Sequence, residues 1–139
     1  MRVFFDTNVW IASFIARGLC ADLVGAAMAA HDGGTIEVLT CPAVVVETQR
    51  LLRDKFHAND AQCHAADTVF GRLTMVEDGI AAIPSFFPDS DDWPIIAAAF
   101  ESGADLFVTG DKALLDLDEV EGLPIVTPRA AFLKLRGLE

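Results

Sequence analysis

Val3-Phe4-Phe5-Asp6-Thr7-Asn8 is the stretch from which the rest of the chain is read. A short apolar run ends abruptly in an acid, a hydroxyl and an amide. Apolar runs of this length with polar bounds read as buried strands. Ligands in open α/β sheets sit at the carboxyl ends of strands, so a strand end presenting Asp, Thr and Asn is a place for chemistry. The pattern returns near the other end of the chain, in Leu106-Phe107-Val108-Thr109-Gly110-Asp111. Two strands that each deliver a carboxylate at that edge would put both in one crevice. The simpler account is that each Asp only caps a helix or forms a turn, roles that Asp favours.

Working outward, Val9, Trp10, Ile11, Phe14 and Ile15 have near-helical spacing, with Asp6 or Thr7 as the cap and Gly18 as the stop. The spacing predicts further helices over 21–30, from Pro42 to about Lys55, from Asn59 or Asp60 through Phe70, over 95–100, over 112–117 and over 129–135. Strands are expected at 36–40, 105–109 and 124–126, with a weak one at Ile80-Ala81-Ala82-Ile83 stopped by Pro84. Strands alternating with helices predict an α/β fold with a mostly parallel sheet covered on both faces. The length of 139 residues predicts one domain over 1–139.

Hydrophobic residues make up 53% of the chain, enough for a core and against disorder. No run of about 18 uninterrupted apolar residues appears, so no membrane span is expected. Met1-Arg2 leads straight into the first strand, which leaves no room for a signal peptide. Cys20, Cys41 and Cys63 are odd in number and widely spaced, which fits thiols in a reducing cytoplasm. The net charge of −11 is concentrated: from Glu77 to Glu121 twelve acids face one base, Lys112. Such a segment solvates a surface, binds cations or repels nucleic acid, and a solvated face is the ordinary outcome. His31, His57 and His64 fall in turns or a polar helix start and read as exposed side chains.

Four acids stand out by placement. Asp6 and Asp111 end strands, Asp92 precedes the helix beginning Trp93-Pro94, and Glu47 follows the apolar Ala43-Val44-Val45-Val46. A Glu beside such a run can point inward, where it needs a partner. The alternatives are a Glu47–Arg50 pair on an exposed edge and a pure N-cap role for Asp92. Clustered carboxylates repel unless something cationic intervenes. Hard oxygen donors without His or Cys select Mg²⁺ or Mn²⁺. Such ions can drive an in-line phosphodiester displacement. Asn8 and Thr109 would orient the carboxylates.

Val3–Trp10, Glu47 within Val45–Leu52, Asp89-Ser90-Asp91-Asp92 and Gly103–Leu115 together resemble the PIN-domain ribonucleases, more narrowly the toxin of bacterial VapBC-type toxin–antitoxin pairs. The resemblance spans nearly the whole chain. It implies a three-layer α/β/α fold, Mg²⁺- or Mn²⁺-dependent RNA cleavage, frequent dimerisation and an antitoxin partner. Carried over, Asp6, Glu47, Asp92 and Asp111 form the acidic quartet, with Asp91 competing for the third place and Asn8 and Thr109 in support. RNA binding normally draws on basic surface, which here is sparse. Arg50, Arg53 and Lys55 on one helix are the candidate contacts. The apolar stretches at 10–15 and 21–30 exceed what one small core is expected to absorb, which also points to a homodimer or an antitoxin groove.

Rival readings meet specific obstacles. A haloacid-dehalogenase-type phosphatase requires a second Asp two residues after the first, where this chain has Asn8. A non-catalytic PIN-like or receiver-like regulatory module would use the same acidic pocket, but a receiver leaves Glu47 without a role.

Overall fold

The computed structural model describes residues 1–137. Six strands form one sheet in the order β3-β2-β1-β4-β6-β5: β1 (Arg2–Phe5), β2 (Glu37–Thr40), β3 (Thr74–Met75), β4 (Leu106–Val108), β5 (Glu119–Val120) and β6 (Leu123–Val126). All pairings are parallel except β5 with β6. Seven helices among the described residues flank the sheet: α1 (Thr7–Ile15), α2 (Leu19–Asp32), α3 (Pro42–Asp54), α4 (Asp60–Phe70), α5 (Trp93–Glu101), α6 (Lys112–Leu115) and α7 (Pro128–Leu135). This is the mostly parallel, two-sided sheet expected from the chain's alternation, in the three-layer α/β/α form that the family resemblance implies.

β1 and β4 are central because every residue of their cores is apolar. Val3, Phe4, Phe5, Leu106, Phe107 and Val108 are all buried, and strands buried on both faces read as continuous hydrophobic runs. Phe4 lies opposite Phe107 in register, and their rings stack at 5.7 Å. Trp10 on α1 meets Phe5 and Phe70 edge-on at 5.3 and 5.1 Å, which ties α1 to both β1 and α4. The core absorbs most of the apolar face that seemed excessive in sequence: Val9, Trp10 and Ile11 of α1 and Leu23, Val24, Ala27 and Met28 of α2 are buried. Ile15 and Leu19 remain exposed at the corner between the two helices.

Three local expectations change. Residues 80–83 are not a strand. Their backbone groups are satisfied by α5 instead: Glu101 accepts from the Ile80 and Ala81 amides, and Trp93 Nε1 donates to the Ala81 carbonyl at 2.7 Å. The adjacent Gly79 amide donates to the Pro94 carbonyl at 2.9 Å. The segment is a strap laid along α5, and Gly79 is required there: a Cβ would stand 2.2 Å from that of Ala97. β3 and β5 have no pattern of their own in sequence, being two residues long each. β5 exists because Glu121 and Gly122 turn with φ of 52° and 80°, the positive pair of a two-residue hairpin. Finally, His31 is structural. Its Nδ1 accepts from the Val38 amide at 3.0 Å and its Nε2 donates to the Arg72 carbonyl at 2.8 Å, joining the end of α2 to β2.

Candidate active site

The chain leaves β1 and β4 in opposite directions, toward β2 and β3 on one side and β6 and β5 on the other. Their carboxyl ends therefore flank the switch point at which open α/β sheets form a crevice. Asp6 ends β1 and caps α1. Its Oδ1 accepts from the Thr7 amide at 2.8 Å, and its Oδ2 accepts from the Thr109 hydroxyl at 2.8 Å and Asn8 Nδ2 at 3.2 Å. Thr109 has a single hydroxyl proton, and Asp6 takes it. Its oxygen then accepts from Asn8 Nδ2 at 3.1 Å and the Asp111 amide at 3.0 Å. Asn8 Oδ1 completes the set by accepting from the Gly110 amide at 3.0 Å. These bonds join two strand ends that lie far apart in sequence.

Asp6 is only 7% exposed and has no cationic partner among the described residues. Burial pushes its carboxyl from 3.8 up to about 6, against the downward pull of its Thr109 and Thr7 hydrogen bonds, and the charges of Glu47 and Asp111 add to the rise. Asp111 caps α6, its Oδ1 accepting from the Ala113 amide at 2.9 Å. Asp92 stands in the cap position of α5 but makes no capping bond. Asp89 caps the short 3-10 turn before it, accepting from the Asp91 amide at 2.9 Å. The Asp92 carboxylate is thus left for the crevice. Desolvation, then the charges of Asp6, Asp89, Asp111 and Glu47, raise it from 3.8 to about 7.

Glu47 projects from α3 and is half-buried. The alternative ion pair with Arg50 is absent among the described residues, although both side chains border an adjoining hollow. Asp6, Asn8, Glu47, Asp92 and Asp111 all line one cleft of about 340 Å³. Asp91 does not: it is exposed, and its neighbour Asp92 takes the inward place because the turn at 90–92 points successive side chains differently. Of the three candidate bases, Arg50 and Arg53 on α3 and Lys55 at its C-cap, Lys55 lines the cleft, while Arg53 pairs with Asp60 at 2.9 Å and does not.

Sequence reading missed the cleft's other wall. Ile11, Ile15, Leu51 and Phe56 share the lining with the acids. The signal was present as helical spacing: Glu47, Leu51 and Lys55 fall four apart on α3, and Ile11 and Ile15 four apart on α1. Thr7 also lines the cleft, and its hydroxyl is buried without a hydrogen-bond partner among the described residues. Among the described residues, no three His, Cys, Asp or Glu side chains already close around one point as an ion's ligands do. The donor set still fits a hard divalent cation. It is made of oxygens, it is mutually repulsive without a counter-charge, and it includes an orphaned buried hydroxyl.

The profile of the PIN domain matches residues 2–113, and the chain belongs to that family, whose members are generally nucleases that use divalent metals. No curated protein matches the chain. Among solved structures it is similar to a chain in the crystal structure of VapBC2 from Rickettsia felis bound to a DNA fragment from their promoter. The identity is 13%, the TM-score is 0.62, and the match covers 91% of this chain and 98% of that one. At that identity the likeness is one of fold.

Proposed function

We propose that this protein is a Mg²⁺- or Mn²⁺-dependent endoribonuclease, acting in the cytoplasm as the toxin component of a toxin–antitoxin pair. One observation carries the reading: Asp6, Glu47, Asp92 and Asp111, from four separate segments, line a single cleft at the switch point of a PIN fold. These four carboxylates would hold the ion. When bound, it supplies Lewis-acid stabilisation of charge in an in-line displacement at phosphorus. Thr109 and Asn8 keep Asp6 in one rotamer, so that its oxygens face the cleft without rearrangement. The fold likeness to a chain of VapBC2 supports the toxin role and a protein partner of antitoxin type. A homodimer belongs to the same reading. Exposed Val46 and Ile80 support it, since they border adjoining hollows that share Asp78.

The test is cleavage of a mixed RNA pool by purified protein with Mg²⁺, Mn²⁺ or a chelator, beside Asp6→Asn. The expected result is metal-dependent cutting that falls by about 100-fold or more in the variant, the scale on which displaced metal ligands act. Undiminished cutting by Asp6→Asn sinks the assignment. No cutting by folded, metal-loaded protein moves the reading to a non-catalytic metal-binding module.

A further inference from the structure

The acidic cleft has a second chemistry that the carboxylates do not use. α1 and α3 border it together, each contributing acid at one end and apolar surface at the other. Asp6 and Asn8 lead along α1 to Ile15, and Glu47 leads through Leu51 to Lys55 and Phe56 at the end of α3. With about 1.5 Å of rise per residue, Glu47 and Lys55 stand on the order of 12 Å apart along the helix. That distance suits a ligand with a charged end and a flat apolar end.

Phe56 is 38% exposed although it borders two cavities, the acidic cleft and an adjoining one of about 410 Å³. A large ring left in this position, with space beside it, offers a face for stacking. Lys55 Nζ stands 5.5 Å from that ring's centroid and makes no ion pair among the described residues. It is the one base among the described residues lining the cleft. In a chain of net charge −11, a cation that lies over an aromatic ring and has no ion pair among the described residues, at the apolar end of an acidic cleft, is placed to meet an anion that also carries a flat ring.

We propose that this end of the cleft is a nucleotide seat: Phe56 stacks on an unpaired base flanking the cleaved phosphodiester, and Lys55 contacts the adjacent phosphate. The proposal rests on the nuclease reading for its substrate and deepens it. Aromatic rings stack on any base, but only on one released from a duplex, so the seat selects single-stranded RNA. It also accounts for how an acidic protein holds a polyanion. Stacking supplies attraction that does not depend on net charge, and a single cation suffices for register.

The experiment uses the full chain and a labelled single-stranded oligoribonucleotide beside a blunt duplex of the same sequence. Binding is read by anisotropy in the Asp6→Asn background, and cleavage in the otherwise wild-type protein. Phe56→Ala is expected to weaken single-strand binding on the order of 10-fold, the scale of losing one base–aromatic stack. It should raise KM more than it lowers kcat, and Phe56→Trp should restore both. Lys55→Gln should weaken binding and flatten its salt dependence. Each variant's circular dichroism and Tm serve as the folding control. Wild-type affinity and KM in folded Phe56→Ala, or equal affinity for the duplex, overturn the seat and leave the nuclease reading standing. Weakened binding by Phe56→Ala in a protein that cuts nothing keeps the seat and removes the nuclease.

Discussion

The Asp6 carboxylate accepts three hydrogen bonds and is almost wholly buried, whereas the Asp92 carboxylate accepts none among the described residues and is half-buried. Both face the same cleft. The first is locked by the strand ends themselves, through Thr109 and Asn8. The second is delivered by the start of α5, and α5 is held by the 79–81 strap and not by anything touching the carboxylate. One side of the site is therefore complete once the sheet forms. The other depends on how a helix is packed, and its carboxylate keeps its hydrogen-bonding capacity for a ligand.

That contrast can be broken from the locked side. Thr109→Val keeps the shape but removes the donor to Asp6 and the acceptor for the Asp111 amide. Positioning partners of metal ligands are worth roughly 10–100-fold, so RNA cleavage should fall by that order. The unmet buried groups should also cost about 1–3 kcal/mol in urea unfolding. Full activity in Thr109→Val would mean the lock does not position Asp6.

From the packed side, Gly79→Ala forces a methyl into the backbone and side chain of α5. Overpacking of this kind costs about 1–3 kcal/mol. The expected signature differs from that of Thr109→Val: lower stability by thermal melt together with weaker Mn²⁺ affinity by calorimetry, because the start of α5 shifts. Unchanged melting would show that the strap is free to lift.

Both sides share a smaller effect. Asp6 and Asp92 have carboxyls raised to about 6 and about 7 from 3.8. Between these values the folded protein holds protons that the unfolded chain has lost, so stability rises as pH falls from 7 toward 4.5. The gain levels off toward 3.8, where the unfolded chain's aspartates take up protons too, and Glu37, held under its ordinary value by its Arg2 and Thr74 hydrogen bonds, works in the opposite sense, losing its contribution as it is protonated. Divalent cation at pH 7.5 should raise Tm in the same sense as mild acid, with the increment shrinking toward pH 5. A metal-free Tm that is flat from 7 to 5 would contradict the burial argument. The least effect is expected at Asp91→Asn, within about 0.5 kcal/mol in stability as at ordinary surface positions, and with cleavage near wild type.

The two strand-end acids were legible because a fully buried strand leaves a continuous apolar run, and the first polar residue after it marks the edge. Asp92 was separable from Asp91 only in three dimensions, since adjacent acids in a turn have no periodicity to distinguish them. Three acids between Glu77 and Glu121 stay on the solvated face expected of that segment and also serve as backbone acceptors: Asp78 receives the Ala43 amide, Glu101 the strap amides and Asp105 the Arg2 amide. Such partners lie tens of residues away and leave no local trace. The weak strand expected at 80–83 failed for a related reason, because its apolar residues say nothing about which neighbour will accept its backbone.

By itself the sequence determined the alternation of elements, the two strand ends and the family, since all three rest on local period and short motifs. Tertiary structure alone decided which carboxylates share a cleft, that Glu47 is left without Arg50, and that Phe56 and Lys55 close the far end. Those outcomes depend on how helices lie across a sheet, and distances between segments remote along the chain are set only when the core packs.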